Sequence, residues 1–180
     1  MKTALKGARI NLRDLRKTDA QSLQKYANGR TVSRFIPNFP YPYKLKDAEK
    51  FIKLTKSKLH KKAYHEFGIE DKDTGEIIGM MSINRINQVN KNAEIGYWIA
   101  KSYRGKGLGK ESLRIIIDYA FKELGLHRLY IRCFHVNKAS ASLAKSGGFK
   151  YEGRLRESVF KDGKWFDDLY FGLLRKEYKR

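Results

Sequence analysis

The feature that most limits how this chain can fold is a strict helical period that follows a glycine-rich turn. Its apolar residues recur every three or four positions: Leu113, Ile116, Ile117, Ala120, Phe121 and Leu124. This spacing predicts a helix with a single apolar stripe, and Gly125 is typical of a helix end. Alternating apolar patterns at 92–100 and 128–136 predict a strand on either side. We therefore expect a central β-α-β unit with the stripe packed on a sheet.

Shorter patterns around this unit predict a strand-rich chain with two early helices and a terminal hairpin. Strands are expected at 10–12, 64–70, 77–87, 151–160 and 165–174, and helices at 18–28, 47–59 and 139–146. Thr18 is the predicted cap of the first helix, because Gln21 follows it as in a capping box. All three prolines lie within 35–43, which predicts a loop. With no repeat or linker, we expect one α/β (α+β) domain over residues 1–180.

Composition favours a soluble intracellular protein. Cys133 is the one cysteine in 180 residues, which excludes an intrachain disulfide and fits a reducing cytoplasm. No apolar run is long enough to span a bilayer, and residues 1–6 lack the apolar core of a secretory signal. We expect a cytoplasmic location and no membrane contact.

The formal net charge of +20, from 39 basic and 19 acidic residues, attracts anions such as nucleotides and RNA. The predicted outer face of the second helix carries Lys46, Lys50, Lys53, Lys56, Lys58, Lys61 and Lys62. This face could bring the protein close to ribosomal RNA, and a solvated basic surface is an equally good interpretation. A polyamine would have to approach against this mean field.

The glycine-rich segment before the main helix has the properties of a phosphate-binding site. It reads Arg104, Gly105, Lys106, Gly107, Leu108, Gly109, Lys110. Glycines let the backbone approach a ligand, and the first N–H groups of a helix have no internal partner. The helix dipole and the basic side chains favour negative charge at the same place. The spacing fits neither a P-loop, which needs G-x-x-x-x-G-K-[ST], nor a dinucleotide fingerprint, which needs G-x-G-x-x-G. An ordinary tight connection is the remaining alternative.

This segment resembles the [Q/R]-x-x-G-x-[G/A] loop of the GNAT superfamily of acetyltransferases. The resemblance covers nearly the whole chain and includes three further motifs in order, at 93–99, 137–140 and 147–149. It is strongest to the branch of ribosomal-protein N-terminal acetyltransferases. It implies the GNAT acyl-CoA N-acyltransferase fold, a mixed, mostly antiparallel sheet flanked by helices.

The resemblance also implies how acetyl-CoA, the co-substrate, would be held. The amides of 105–110 would bind its pyrophosphate, and Arg104 would flank it. The backbone of Tyr97, Trp98 and Ile99 would bind the pantetheine arm, and the strand at 128–136 would diverge to admit the thioester. Asn137 would contact the cofactor near its reactive end.

Two residues are candidates for the chemistry of acetyl transfer to an amine. Glu94 is the candidate general base, acting through water on the acceptor amine, and its alternative role is a cross-strand ion pair. Ser140 is the candidate acid or partner of the departing thiolate. Many relatives carry a tyrosine four positions further on, and this chain has Ala144 there. The alternative is that Asn137 caps a short helix and Ser140 lies in its first turn.

Other residues carry less functional signal. His60, His65, His127 and His135 lack metal-ligand spacing, so we expect no metal. The loop at 35–43 could form one wall of the acceptor pocket. The acceptor is expected to be a protein N-terminal α-amine, with a small amine or a lapsed CoA- or RNA-binding module as alternatives. Assembly into a homodimer is also possible.

Overall fold

Eight strands form a single mixed sheet in a computed structural model that describes residues 4–57 and 63–179. The strands are β1 (Ala4–Lys6), β2 (Ile10–Arg13), β3 (His65–Asp71), β4 (Ile77–Asn87), β5 (Asn92–Ile99), β6 (Arg128–Phe134), β7 (Lys150–Lys161) and β8 (Lys164–Leu174). Their order across the sheet is β1-β2-β3-β4-β5-β6-β8-β7. Only β5 and β6 pair in parallel among the described strands, because a helical crossover joins them.

Helices cover both faces of this sheet. They are α1 (Ala20–Ala27), α2 (Arg30–Ser33), α3 (Leu45–Thr55), α4 (Leu108–Lys122) and α5 (Lys138–Ser146). The stripe of α4 packs with Met81 in one buried cluster, whereas α1 and α3 pack with Met80 in a second cluster. Successive strand residues point to opposite faces, so the two clusters lie on opposite sides of β4.

The parallel strands β5 and β6 separate soon after they begin. They pair through three positions, and the last pair joins Glu94 to Tyr130. Residues Gly96 to Ile99 then pair with β4 on their other side. The expected divergence of the strand at 128–136 is confirmed, and it opens one edge of β5 towards the main helix.

Most of the predicted elements are confirmed, with shifted ends. The capping box at Thr18 was wrong, because Lys17–Asp19 form a 3₁₀ turn and α1 begins at Ala20. The Asp19 carboxylate instead accepts the Arg16 backbone N–H at 2.6 Å and pairs with Arg13 at 2.8 Å.

Strand β1 and helix α2 were not predicted. The second helix ends at Thr55, so its predicted extension over residues 56 and 57 was wrong. Residues 58 and 59 of that prediction, and Lys58, Lys61 and Lys62 of its basic face, lie outside the described residues.

No helix within residues 4–57 and 63–179 is long and apolar enough to cross a membrane. The loop predicted at 35–43 is confirmed, since it contains no helix or strand. Its Phe39 and Tyr43 rings stack with their centroids 4.9 Å apart and pack against the second cluster, so the loop is anchored to the face that carries α1 and α3.

Candidate active site

The glycine-rich loop joins β5 to the first turn of α4. Gly105 and Gly107 adopt positive φ angles of 77° and 80°, a conformation that favours glycine. The first helical hydrogen bond runs from the Glu111 N–H to the Gly107 carbonyl at 3.1 Å. The N–H groups of 105–110 precede that bond, so the helix itself provides them with no acceptor. A ring of backbone donors at the positive end of a helix can bind a diphosphate.

An arginine from the β1–β2 turn braces this loop from outside the cleft. The Arg9 guanidinium donates to the Lys106 carbonyl at 2.8 Å and to the Glu111 carboxylate at 3.0 Å. The Arg9 backbone N–H donates to the same carboxylate at 2.8 Å. Burial, the largest single influence, raises the pKa of Glu111, but the hydrogen bonds together outweigh it, so the pKa is lowered. No local pattern in the sequence points to Arg9, because it lies about a hundred residues away from its partners.

Arg104 lines the cleft, but its guanidinium is engaged with backbone carbonyls. It donates to Ile99 O at 2.8 Å and to Thr31 O at 3.1 Å, which ties the loop to both β5 and α2. Burial lowers the pKa of Arg104. A direct bond from Arg104 to a phosphate therefore remains a prediction, while its bracing of the loop is observed.

A cleft of about 550 Å³ extends from this loop to the gap between β5 and β6. It collects the residues of the predicted cofactor site on one continuous surface: Glu94, Tyr97, Trp98, Ile99, Arg104, Gly105, Gly107, Leu108, Gly109, Lys110, Asn137 and Ser140. Among the described residues, Lys106 is the one residue of the predicted cofactor site that does not line the cleft. The cleft is also lined by Thr31, Val32, Phe35 and Ile36, so the loop at 35–43 reaches it with its first two residues, and its place in an acceptor pocket stays a prediction.

At the middle of the cleft, three polar side chains meet beside the first turn of α5. Asn137 caps this helix, since its Oδ1 accepts the Ser140 N–H at 3.2 Å. The Tyr97 hydroxyl lies 3.0 Å from Ser140 Oγ and 3.1 Å from Ser140 O. Burial raises the pKa of the Cys133 thiol, and hydrogen bonding with Ser140 opposes that shift. The capping role considered for Asn137 is therefore observed, together with its position on the cleft wall.

At the far end of the cleft, Glu94 is ion-paired. Its carboxylate accepts from Arg132 at 3.1 Å and 3.3 Å and lies 3.8 Å from Arg85. Arg132 also contacts the buried Asp168 at 3.3 Å. Burial raises the pKa of Asp168, and the Arg132 charge opposes that rise. The ion pair considered as an alternative for Glu94 is present, and its role as a base remains a prediction.

Arg132 and Asp168 were not identified from the sequence. They meet Glu94 only because three strands lie side by side. Glu94 on β5 faces Tyr130 on β6, two residues before Arg132, and Asp168 on β8 faces Phe134, two residues after it. Within the described part of the chain, no three His, Cys, Asp or Glu side chains lie together as a possible metal site.

Comparison with known proteins identifies the family. Residues 9–150 match the family described as an acetyltransferase (GNAT) domain. The chain belongs to the GNAT family of N-acetyltransferases. It is therefore an enzyme that transfers acetyl groups.

Two relatives differ in the acceptor that their names state. The Bacillus subtilis protein YdaF, provisionally named a ribosomal N-acetyltransferase, is 40% identical over 105 residues, which cover 58% of this chain and 57% of that protein. A Vibrio cholerae spermidine N(1)-acetyltransferase is 28% identical and covers 95% of this chain and 96% of its own length.

Two solved structures are similar over most of the chain. A Vibrio cholerae protein, provisionally described as a ribosomal-protein-serine acetyltransferase, has a TM-score of 0.83 at 28% identity and covers 96% of this chain and 97% of that one. The ribosomal L7/L12 α-N-protein acetyltransferase RimL, solved in complex with coenzyme A, has a TM-score of 0.86 at 21% identity and covers 96% of this chain and 98% of that one. The second likeness shows the shared fold.

Replacing Gly107 by valine tests the glycine-rich loop. We expect Gly107→Val to weaken acetyl-CoA binding by more than about tenfold, because a branched residue is strained at a φ of 80° and its Cβ would lie 3.2 Å from Arg9 Nη2. Titration calorimetry with acetyl-CoA measures the effect. Gly163→Val is the matched control, since Gly163 has a φ of 76° in the distant β7–β8 turn, where an added Cβ would meet no atom within 4 Å. Equal affinity in both variants would contradict the loop assignment.

Proposed function

We propose that the protein acetylates the α-amine of a protein N-terminus, of the ribosomal-protein type, with acetyl-CoA as the donor. The observation that carries the proposal is the charge balance at the acceptor end of the cleft. Glu94 lines that end of the cleft and pairs with Arg132, which also contacts the buried Asp168. Arg85 approaches Glu94 as a second cation. Two negative and two positive side chains leave no surplus negative charge for a polycation.

The donor side fits acetyl-CoA on three grounds. The loop offers unpartnered amides, three glycines without side chains line the cleft (Gly105, Gly107 and Gly109), and the unpaired edge of β5 lies along it. Bound there, acetyl-CoA would supply an activated acetyl group as a thioester. The amides of 105–110 would bind its diphosphate, and residues 97–99 would offer backbone groups to its pantetheine arm.

The acceptor must present a neutral nitrogen, and this requirement favours an α-amine. Its pKa is about 7.7–8.0, against about 10.4 for a lysine-like primary amine. At pH 7.4 about a quarter of α-amines are neutral, compared with about one lysine-type amine in a thousand. The Glu94 carboxylate already pairs with Arg132, so a site built around these two residues suits the amine that needs less help to become neutral.

A small primary amine is the second candidate acceptor. The similarity to a spermidine acetyltransferase along 95% of the chain supports it. Two observations argue against a polyamine acceptor: the carboxylate of Glu94 is already paired with Arg132, and the formal net charge is +20. Both disfavour the binding of a cation with several charges. A module that has lost its chemistry is less well supported, because the loop and both candidate side chains line one cleft.

Proximity to the ribosome is part of the proposal. The exposed face of α3 carries Lys46, Lys50 and Lys53, with Lys56 just after its end, and α3 follows the loop at 35–43 that begins at the cleft wall. Such a basic face would attract ribosomal RNA in a salt-dependent manner.

A panel of acceptors tests the assignment directly. We expect kcat/KM for N-terminal peptides to exceed that for spermidine, an aminoglycoside and free amino acids by at least about tenfold at pH 7.4, because the peptides present the more neutral amine. Release of the CoA thiol gives the rate for every acceptor. Brisk turnover of spermidine with none for peptides would remove the N-terminal assignment.

The role of Glu94 is tested by its pH dependence. We expect Glu94→Gln to lower kcat by about 100-fold below the acceptor pKa, and the deficit to shrink as pH rises and the amine becomes neutral without help. The affinity for acetyl-CoA should stay within about twofold, since Glu94 lies at the opposite end of the cleft from the glycine-rich loop.

The matched control for this variant is Glu152→Gln. Glu152 also pairs with an arginine, Arg128, but lies on β7 outside the cleft. A deficit of the same size at every pH would show that Glu94 supports the structure rather than accepting a proton.

A further inference from the structure

The hydroxyl of Tyr97 is bonded across the cleft to a different element of the fold. Tyr97 extends from β5, beyond the point where β5 and β6 separate, and its Oη reaches Ser140 in the first turn of α5. Both residues line the cleft, midway between the glycine-rich loop and Glu94. The contact therefore lies in the wall of the cleft that would hold the thioester under the proposed function.

Ser140 differs from two other helical serines of this protein in where its hydroxyl points. Helical serines commonly donate to a carbonyl three or four residues back. Ser112 does so to Leu108 at 2.8 Å, and Ser146 does so to Leu143 at 2.9 Å. The Ser140 hydroxyl instead contacts the Tyr97 hydroxyl at 3.0 Å, and Asn137 fixes its backbone N–H.

We propose that Tyr97 is a positioning residue for acetyl transfer, which turns the Ser140 hydroxyl into the cleft so that it donates a hydrogen bond to the departing sulfur. The inference rests on the proposed acetyl transfer and on no particular acceptor. Tyr97 has a single hydroxyl proton, and two acceptors on Ser140 lie within its reach, the backbone carbonyl at 3.1 Å and Oγ at 3.0 Å. When the two acceptors share that proton, the hydrogen on Ser140 Oγ is released for the cleft. Ala144, one turn further along α5, has no hydroxyl that could substitute.

The step that Ser140 assists is cleavage of the carbon–sulfur bond. The amine nitrogen attacks the thioester carbon and forms the new C–N bond, and the C–S bond breaks with its electron pair going to sulfur. Ser140 Oγ–H donates to the sulfur as its negative charge develops. The proton lost by nitrogen passes to water, with Glu94 as the nearest proposed acceptor, and the thiolate takes a proton from solvent.

Burial of the phenol is consistent with this role. Burial raises the pKa of Tyr97, so the hydroxyl keeps its proton over the range in which an amine acetyltransferase is assayed. A tyrosine in this state orients a neighbour and does not itself protonate the thiolate.

A double-mutant cycle tests the proposal. Tyr97→Phe keeps the ring that packs beside the main core and removes the oxygen, while Ser140→Ala removes the proposed donor. We expect Tyr97→Phe to lower kcat by about tenfold and Ser140→Ala by about 30-fold, with KM for acetyl-CoA within about twofold. In the Ser140→Ala background, Tyr97→Phe should have less than about a twofold further effect, because the group it orients is gone.

Tyr119→Phe is the matched control. Its hydroxyl is also partly buried and bonded, to His65 at 3.0 Å, but it lies on α4 outside the cleft. We expect the wild-type kcat in this variant. Thermal melting of every variant separates a loss of folding from a loss of positioning.

The outcomes separate this inference from the acceptor assignment. CoA-thiol release is followed with whichever amine is preferred in the acceptor panel, since C–S cleavage is common to all of them. If the acceptor panel favours spermidine, the N-terminal assignment is wrong, but the double-mutant cycle can still be carried out with spermidine as the acceptor. Equal losses from Tyr97→Phe in both backgrounds, or a wild-type kcat in Tyr97→Phe, would overturn the positioning role.

Discussion

The separation of two parallel strands is the constraint on which the site depends. After the pair Glu94–Tyr130, β5 and β6 no longer share hydrogen bonds, and the crossover helix α4 begins at the open end of the gap. A backbone edge without a strand partner must find another polar partner or remain in water. The same gap exposes the first N–H groups of α4, so the separation of β5 and β6 creates both an extended groove and an anion site.

Packing keeps this arrangement rigid. The stripe of α4 is fully buried against the sheet, with Leu113, Ile116 and Ile117 each at 0% exposure. Arg9 and Glu111 hold the other side of the loop, and the Arg104 guanidinium joins it to β5 and α2. Because donors that are fixed in advance need little reorganisation, a braced loop binds a diphosphate better than a mobile one of the same sequence.

The local parts of this account could be predicted from the sequence. The period of 113–124 predicts α4, and the loop could be placed between a strand and a helix because those patterns are local. Glu94 could likewise be assigned to the face opposite Ile95 from alternation alone. Its partner Arg132 could not, because that contact depends on the register of a parallel pair and spans 38 positions of the chain.

The same limit applies to Arg9 and to the pair Tyr97–Ser140. Ser140 could be selected as a candidate, whereas the hydroxyl that contacts it comes from a strand 43 residues earlier. The capping error at Thr18 has a related cause. Asp19 satisfies the Arg16 N–H while pairing with Arg13 on β2, so a tertiary ion pair decides where α1 begins.

The central claim is that backbone donors at the start of α4 hold the diphosphate of acetyl-CoA. Titration calorimetry with acetyl-CoA and with acetylpantetheine, which has the same thioester and arm but lacks the diphosphate and the adenosine nucleotide attached to it, tests it most directly. Hydrogen bonds to charged groups contribute about 1.5–3 kcal/mol each, so the loss of two or more predicts binding at least about 100-fold weaker for acetylpantetheine. Equal affinities for the two compounds would contradict the account.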